Sequence, residues 1–433
     1  MITLFVITVL LLLLIGFSVL YICLVRRRYS QFYCPKYTNV FLAHAYELVK
    51  AKRPFIETFL CWSKESGYNV FVLFSSWRVH IHVIDTRKIK DVLCSVTLLK
   101  PKEHDLSKFC GVDLLGDKSL FTEPGTLAWA TKRKELDPHF HTAGLQKGYS
   151  KLLEVASDLV ESIGCDEGTN IAHLMQRHVS HVIALFIMNI EDKEEFHSYT
   201  NKIASIFMGL SVKFRHKNTF WMPWNFKTEK AKVLKDLHDV QSYFKDFILS
   251  QNFEEIDLNS CVGSLVKTNM EGDNLRIDLL INELIMFFFA GIDTSMHTIN
   301  FAFYEMLRDK AALIKIEDEI QQVFGEREFI EYREVNELKY LDKFIKEVLR
   351  YHPIVSSVTR QTGPKGFNLC DQFIPRNTKV HINIECVRKA KSSGRILQSS
   401  QRIDGMNHLS PSVTFHFLVA LAAVLARNWP CLR

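Results

Sequence analysis

The chain has 433 residues, 47% hydrophobic and 24% charged, which suits a large globular body with room to bury a cofactor. A net charge of +6, mild and dispersed, argues against a nucleic-acid partner. Ten cysteines (23, 34, 61, 94, 110, 165, 261, 370, 386 and 431) form no Cys-x-x-Cys pair and no regular spacing, so reduced, cytosol-facing thiols are expected rather than a disulfide framework.

From Ile2 to Val25 the chain is apolar, interrupted only by threonine, serine, glycine, tyrosine and cysteine, and its 24 residues are long enough to cross a bilayer. No charge precedes this run and Arg26-Arg27-Arg28 follows it directly. It therefore reads as a signal anchor over 2–25 with everything after it in the cytosol. A linker over 26–50 holds a single proline, Pro35. Tyr68–Phe74 and Val79–Ile84 are rich in β-branched and aromatic residues and predict a hairpin, divided at Ser75-Ser76. Asp85 is placed to cap a short helix through Leu93, and the stretch from Leu98 to Thr122 reads as a loop that names no ligand.

Trp129 and Arg133, at i and i+4, share one helix face. Found alone, such a pair is often a stacked surface contact. From Leu145 to Phe247 the pattern is helical, broken by Phe220-Trp221-Met222-Pro223-Trp224, which suits either an interfacial contact or packed core. Asn252 to Asn274 is polar and predicts a loop.

Leu279, Leu280, Leu284, Ile285 and Phe288, then Ile299, Phe301, Phe303 and Met306, recur at helical spacing and predict one long buried helix. Asp293-Thr294-Ser295 is a polar patch in its middle. Ala290-Gly291 just before it leaves a gap through which a flat body could approach the backbone. Thr294 and Ser295 can bond back to helix carbonyls and open a local bulge. The patch is either a satisfied polar notch in a core helix or the proton relay of a cofactor site. Further on, Leu338–Leu341 opens a helix that brings Glu347 and Arg350 together at i and i+3 and is stopped by Pro353.

The wording at Ala290-Gly291-Ile292-Asp293-Thr294-Ser295 resembles the oxygen-activation helix of the cytochrome P-450 family, and Glu347-Val348-Leu349-Arg350 before Tyr351-His352-Pro353 resembles its Glu-x-x-Arg helix. The resemblance runs in order from about residue 30 to 385. It implies a mainly α fold with small β-sheets (α+β), with a catalytic domain over 51–386. It also implies b-type haem. Trp129 and Arg133, which match the family's Trp-x-x-x-Arg, would hold the haem propionates together with Arg360. Ala290 and Gly291 would face the haem, and Asp293 and Thr294 would deliver protons. Glu347 and Arg350 would form a buried brace, with Arg402 a candidate third member. The implied reaction inserts one oxygen atom from O2 into a lipophilic substrate, with electrons from an NADPH-dependent flavoprotein reductase, at the endoplasmic reticulum membrane. The wording is nearest to sterol side-chain hydroxylases of the cholesterol 24-hydroxylase type, then to fatty-acid ω-hydroxylases.

From 387 to 433 the chain departs from that pattern. The family's Phe-x-x-Gly-x-Arg-x-Cys-x-Gly, whose cysteine thiolate is the axial iron ligand, is absent. Cys431 lacks the glycine and arginine neighbours, and Cys370 and Cys386 fall too early. Residues Thr414 to Pro430, recoded from the last base of each codon and the first two of the next, permit Phe-Pro-Phe-Ser-Gly-Gly-Ser-Arg-Arg-Cys-Ile-Gly-Gln-Glu-Leu-Ala. The leucine at Asn428–Trp429 and the alanine at Trp429–Pro430 are forced, and the cysteine falls at the Ala423–Val424 junction. A frame change therefore accounts for the missing loop, and the 433-residue chain is expected to lack a metal ligand and to be inactive. The alternative is a haemless, membrane-anchored binding or scaffold protein.

Overall fold

The computed structural model describes residues 2–51, 54–75, 78–95, 97–101, 108–109, 112–113, 118–162, 171–190, 196, 199–203, 206, 227–250, 257, 260–325, 327, 330–369 and 371–389. It is mainly helical with small sheets, as expected. The described residues divide into two units, one within Met1–Lys102 together with residues 355–389, the other within Glu103–Ile354.

The first unit is built on a five-stranded sheet in the order Val70–Ser75, Arg78–Val83, Lys379–Asn383, Ser357–Thr362, Leu98–Leu99. The predicted hairpin forms, with Val72 opposite Ile81 and Phe74 opposite Val79. Lys379–Asn383 then joins it in parallel, which sets His381 beside His82. Both faces are covered: Val70, Val72, Phe74, Ile81, Val83, Val380 and Ile382 pack on one side, and Phe71, Leu73, Trp62, Ile84 and Cys386 form a separate cluster. Burial on two faces explains why residues 70–74 are all apolar rather than alternating. Asp85 caps Thr86–Cys94 by accepting from the Arg87 N–H.

Ile2–Arg27 is a single helix, with Leu13, Leu14 and Phe17 exposed. Among the described residues, however, the helix that satisfies a bilayer span by length and composition is Ile277–Arg308, in the second unit, and 56% of its most apolar window is buried. It is the core helix of a folded body. The expected N-terminal span over residues 2–25 is not supported by this criterion among the described residues.

That central helix organises the second unit. Leu280, Leu284, Phe288, Ile292, Ser295, Ile299 and Ala302 are buried at three- and four-residue steps. Phe288 packs its ring against Phe196 at 4.8 Å and Phe244 at 5.3 Å, and Phe287 stacks on Phe140 at 5.6 Å. Ile171–Met188 runs along it. Two expectations are corrected. The helix is continuous α-helix through Asp293-Thr294-Ser295, with no bulge. The region read as a loop over 252–274 contains the helix Cys261–Thr268. Ser260 caps this helix and Cys261, Leu265 and Val266 are buried beneath it, an apolar spacing too short to show in a polar stretch. A two-strand turn, Met270–Glu271 with Asn274–Leu275, follows it. Arg402, Cys431, Ala423, Val424 and the Phe220–Trp224 cluster lie outside the described residues.

Candidate functional site

On the central helix the Thr294 hydroxyl donates to the Ala290 carbonyl at 2.7 Å, and Thr298 repeats the arrangement to Thr294 at 2.8 Å. This fixes each hydroxyl against the turn before it. Asp293 and Thr294 are half-buried and Ser295 is buried. One turn on, His297 Nε2 stands 3.4 Å from Asp293 Oδ1, with both side chains about half exposed. The Asp293 carboxylate holds the imidazole above its usual range. The chain thus places a carboxylate, a hydroxyl and a proton-holding imidazole within one turn of helix. His297 escaped the sequence reading, although an acid four residues before a histidine on a helix is a visible pairing signal.

The glycine gap has a different use from the one expected. A Cβ at Gly291 would stand 2.8 Å from Ile183 Cδ1, so the missing side chain lets the helix Ile171–Met188 pack closely. Ala290, half-buried, remains the small residue of the pair.

Trp129 and Arg133 lie on Leu127–Leu136, which Thr126 caps by accepting from the Trp129 N–H. Arg133 sits over the Trp129 ring at 5.6 Å, as the spacing predicts. The indole N–H is donated to the Leu120 carbonyl at 2.9 Å, and not to an outside group. Below them is a knot that the sequence reading missed. Lys132 Nζ is 2.6 Å from Glu283 Oε1, 3.0 Å from the Lys118 carbonyl and 3.5 Å from Glu123, while Glu283 Oε2 accepts from the Leu120 N–H at 2.8 Å. Glu283 is fully buried, and burial pushes its carboxyl up against the pull of Lys132. This pair ties the Trp129 helix to the central helix about two turns before Ala290. Its sequence signal is a lone acid inside the apolar run Leu280–Phe289.

Glu347 and Arg350 meet as expected in a two-pronged contact, Nε to Oε2 at 2.7 Å and Nη2 to Oε1 at 2.6 Å. They are not the buried brace expected: their side chains are 46% and 30% exposed. The helix carrying them, Lys339–Tyr351, is held at both ends from a distance. Glu319 accepts from the Tyr340 and Leu341 N–H groups at its start. At its end His352 pairs with Glu305 of the central helix at 2.7 Å and stacks on Phe301 at 4.2 Å. Arg360 belongs to the other unit, on the strand Ser357–Thr362, where it donates to the Thr359 carbonyl.

Haem, the group implied by the resemblance, can be tested against these residues. At its acidic edge Arg133 fits, because its half-buried guanidinium has no hydrogen bond or ion pair among the described residues and is open to a carboxylate. Among the described residues no side chain fits the axial position. The axial ligand the resemblance implies is a cysteine thiolate, which a lowered thiol pKa favours. Burial instead pushes the thiol of Cys261 up to about 12. Cys386 is buried in the first unit, and none of the described cysteines has the glycine and arginine neighbours of the ligand loop.

The cytochrome P450 family profile matches residues 36–392. The chain is 22% identical over 340 residues to a Drosophila melanogaster protein described as probable cytochrome P450 6w1, covering 73% of this chain and 65% of that one. It is 23% identical over 373 residues to cytochrome P450 4e5, mitochondrial, of Drosophila mettleri, covering 79% and 70%. Over 117 residues it is 36% identical to carnosic acid synthase of Salvia pomifera, covering 26% of this chain and 23% of that enzyme. The chain thus spans less than two thirds of the length of these first two, the fly protein 6w1 and the sage enzyme. With a matched region that takes in the central helix, the Trp129 helix and the Glu347–Arg350 pair, the chain belongs to the cytochrome P450 family.

Proposed function

We propose that the protein is a membrane-anchored monooxygenase that inserts one oxygen atom from O2 into a lipophilic substrate, of sterol or fatty-acid type, in the form of the chain that carries the missing ligand loop. The observation supporting this reading most is the placement of Asp293, Thr294 and His297 within one turn of the central helix. Haem, when bound, supplies the oxygen-activating iron. The protein's own part is to hold and pass protons. His297 holds one against the Asp293 carboxylate, and the Thr294 hydroxyl, its own proton given to the Ala290 carbonyl, presents its oxygen as a proton acceptor in a fixed place. Arg133 would take a haem propionate. The second oxygen atom leaves as water, with electrons from an NADPH-dependent flavoprotein reductase. Ile2–Val25, ahead of three arginines, would anchor the body to the cytosolic face of the endoplasmic reticulum.

The test is a carbon-monoxide difference spectrum on the reduced 433-residue chain and on a chain with the loop restored by the frame change. A haem-thiolate band only in the restored chain supports the reading. A band in neither favours the haemless binding protein. Resequencing across codons 385–433 must show TGT spanning the Ala423–Val424 junction. In the restored chain, Thr294→Ala is expected to release peroxide at the expense of product. Unchanged coupling would leave the polar patch a purely structural notch. Protease added to sealed microsomes should digest the body, and sparing it would reverse the orientation.

A further inference from the structure

The helix Leu127–Leu136 carries Trp129 and Arg133, yet it buries almost nothing apolar. Of its side chains only Lys132 and Leu136 are buried, and Leu127 is 84% exposed. A surface helix is ordinarily turned to its place by an apolar stripe. One leucine in the last turn is not a stripe, so apolar packing does not fix the rotation of this helix about its own axis. A buried cation supplies the missing constraint. Lys132 Nζ meets Glu283 Oε1 at 2.6 Å and the Lys118 carbonyl at 3.0 Å. The loop before the helix is tied to the same acid, because Glu283 Oε2 accepts from the Leu120 N–H. The Leu120 carbonyl in turn accepts from the Trp129 indole at 2.9 Å. Ser119 and Thr122 close that loop on itself through their hydroxyls.

A buried ion pair adds little stability over an apolar one, and its best-attested use is to fix register. Here the register reaches two residue sets at once. Arg133 follows Lys132 directly and is turned from it by about 100°, so any rotation that frees Lys132 swings Arg133 by the same angle. On the other helix Glu283, Phe287, Ala290 and Thr294 follow at four-, three- and four-residue steps and share one face. We infer that Lys132 and Glu283 are positioning residues: the pair fixes the rotation of Leu127–Leu136 and so aims Arg133 at the carboxylate of a group lying along the face that carries Ala290 and Thr294. This rests on the reading of Arg133 as the side chain that takes a propionate. Its distinct content is that the aim is set by a buried polar pin and not by Trp129 or by apolar packing.

The experiment uses the full chain in detergent micelles and follows quenching of its tryptophan fluorescence by metal-free protoporphyrin IX and by the dimethyl ester, whose carboxylates are blocked. The readout is the ratio of the two dissociation constants, compared between chains so that partition into the micelle cancels. Loosened packing weakens both porphyrins alike, whereas a lost carboxylate contact moves the ratio. Arg133→Met is expected to remove about tenfold of the preference for the acid, the worth of one charge-assisted hydrogen bond. Lys132→Met/Glu283→Leu, which keeps the core filled, should remove as much although Arg133 is still present. Should that chain not fold, Lys132→Met/Glu283→Gln, whose amide oxygen can still accept from Leu120, carries the same expectation. Lys267→Ala breaks the surface pair with Glu135, 59% and 35% exposed, which also ties this helix to a neighbour, and should leave the ratio unchanged. A ratio lost in Arg133→Met but kept in the double variant overturns the inference and leaves the reading of Arg133 standing. A ratio unmoved by Arg133→Met overturns both. A loss in Lys267→Ala as large as in the double variant shows that any tie would serve, and overturns the role of the buried pair.

Discussion

Two regions bury ionisable side chains and treat them in opposite ways. In the second unit, Lys132 and Glu283 are 7% and 0% exposed and meet at 2.6 Å, with the Lys132 ammonium also directed at the Lys118 carbonyl and at Glu123, and Glu283 Oε2 accepting from the Leu120 N–H. In the first unit, His82 is 6% exposed and stacked between Phe71 at 4.9 Å and His381 at 4.7 Å, and its Nδ1 has no hydrogen-bond partner among the described residues. His381 meets His80 and Thr359 at 2.9 Å each. Burial drives His82 well below the usual histidine range and His381 to about 3, with His80, His44 and Lys379 adding to the effect, so these rings are neutral. The comparison teaches that burial alone does not decide charge. It disfavours the charged form at both places, raising Glu283 and lowering the histidines, and what differs is the neighbour: Glu283 has a cation opposing the effect where His82 has only other imidazoles and rings.

The comparison breaks most sharply at Lys132→Met. It leaves Glu283 buried without its partner and is expected to cost about 3–5 kcal/mol in denaturant unfolding, most of it recovered in Lys132→Met/Glu283→Leu. No recovery in the double variant would show that the two are not coupled. The neutral stack is broken by acid. Because the folded pKa values lie below the ordinary value of 6.5, the unfolded chain takes up protons first. Its contribution is therefore complete above that value and is lost as pH falls toward the folded values, at about 1.4 kcal/mol per pH unit for each imidazole. Melting curves of the full chain should drop between neutral and acid pH, and His82→Phe, which keeps the stack and removes the proton, should flatten that drop.

Smaller effects sharpen the contrast between shape and charge. Gly291→Ala gains about 1 kcal/mol of helix propensity and costs about 1–3 kcal/mol from the contact with Ile183 Cδ1, so a net loss of order 1 kcal/mol is expected. With Ile183→Val, which deletes that carbon, the same change should turn into a gain. The least effect belongs to Glu347→Gln, since a pair 46% and 30% exposed is screened by water, and a loss under about 1 kcal/mol should appear in the same unfolding assay. A loss several times larger would mean that the pair is covered in the folded chain.

The site was half legible. The spacing of Trp129 with Arg133 and of Glu347 with Arg350 is local, and each pair meets in the structure because helix geometry alone brings i+3 and i+4 together. Partners across the chain were not legible: Glu283 lies 151 positions from Lys132, and Glu305 lies 47 from His352. The helix at Cys261–Thr268 hid in a polar stretch, since one short buried stripe does not outweigh its polar neighbours.

What the sequence determined by itself is local: the central helix from its apolar repeat, the hairpin from its β-branched runs, and the Asp85 cap. What only the tertiary structure decided is how side chains spend their polar groups. The Trp129 indole goes to Leu120, the Gly291 gap to Ile183, and the Glu347–Arg350 pair is left half open. The reason is physical. Period is a property of the backbone and is written locally, whereas the partner of a hydrogen bond or the filler of a gap is whatever packing brings within a few ångströms from anywhere in the chain.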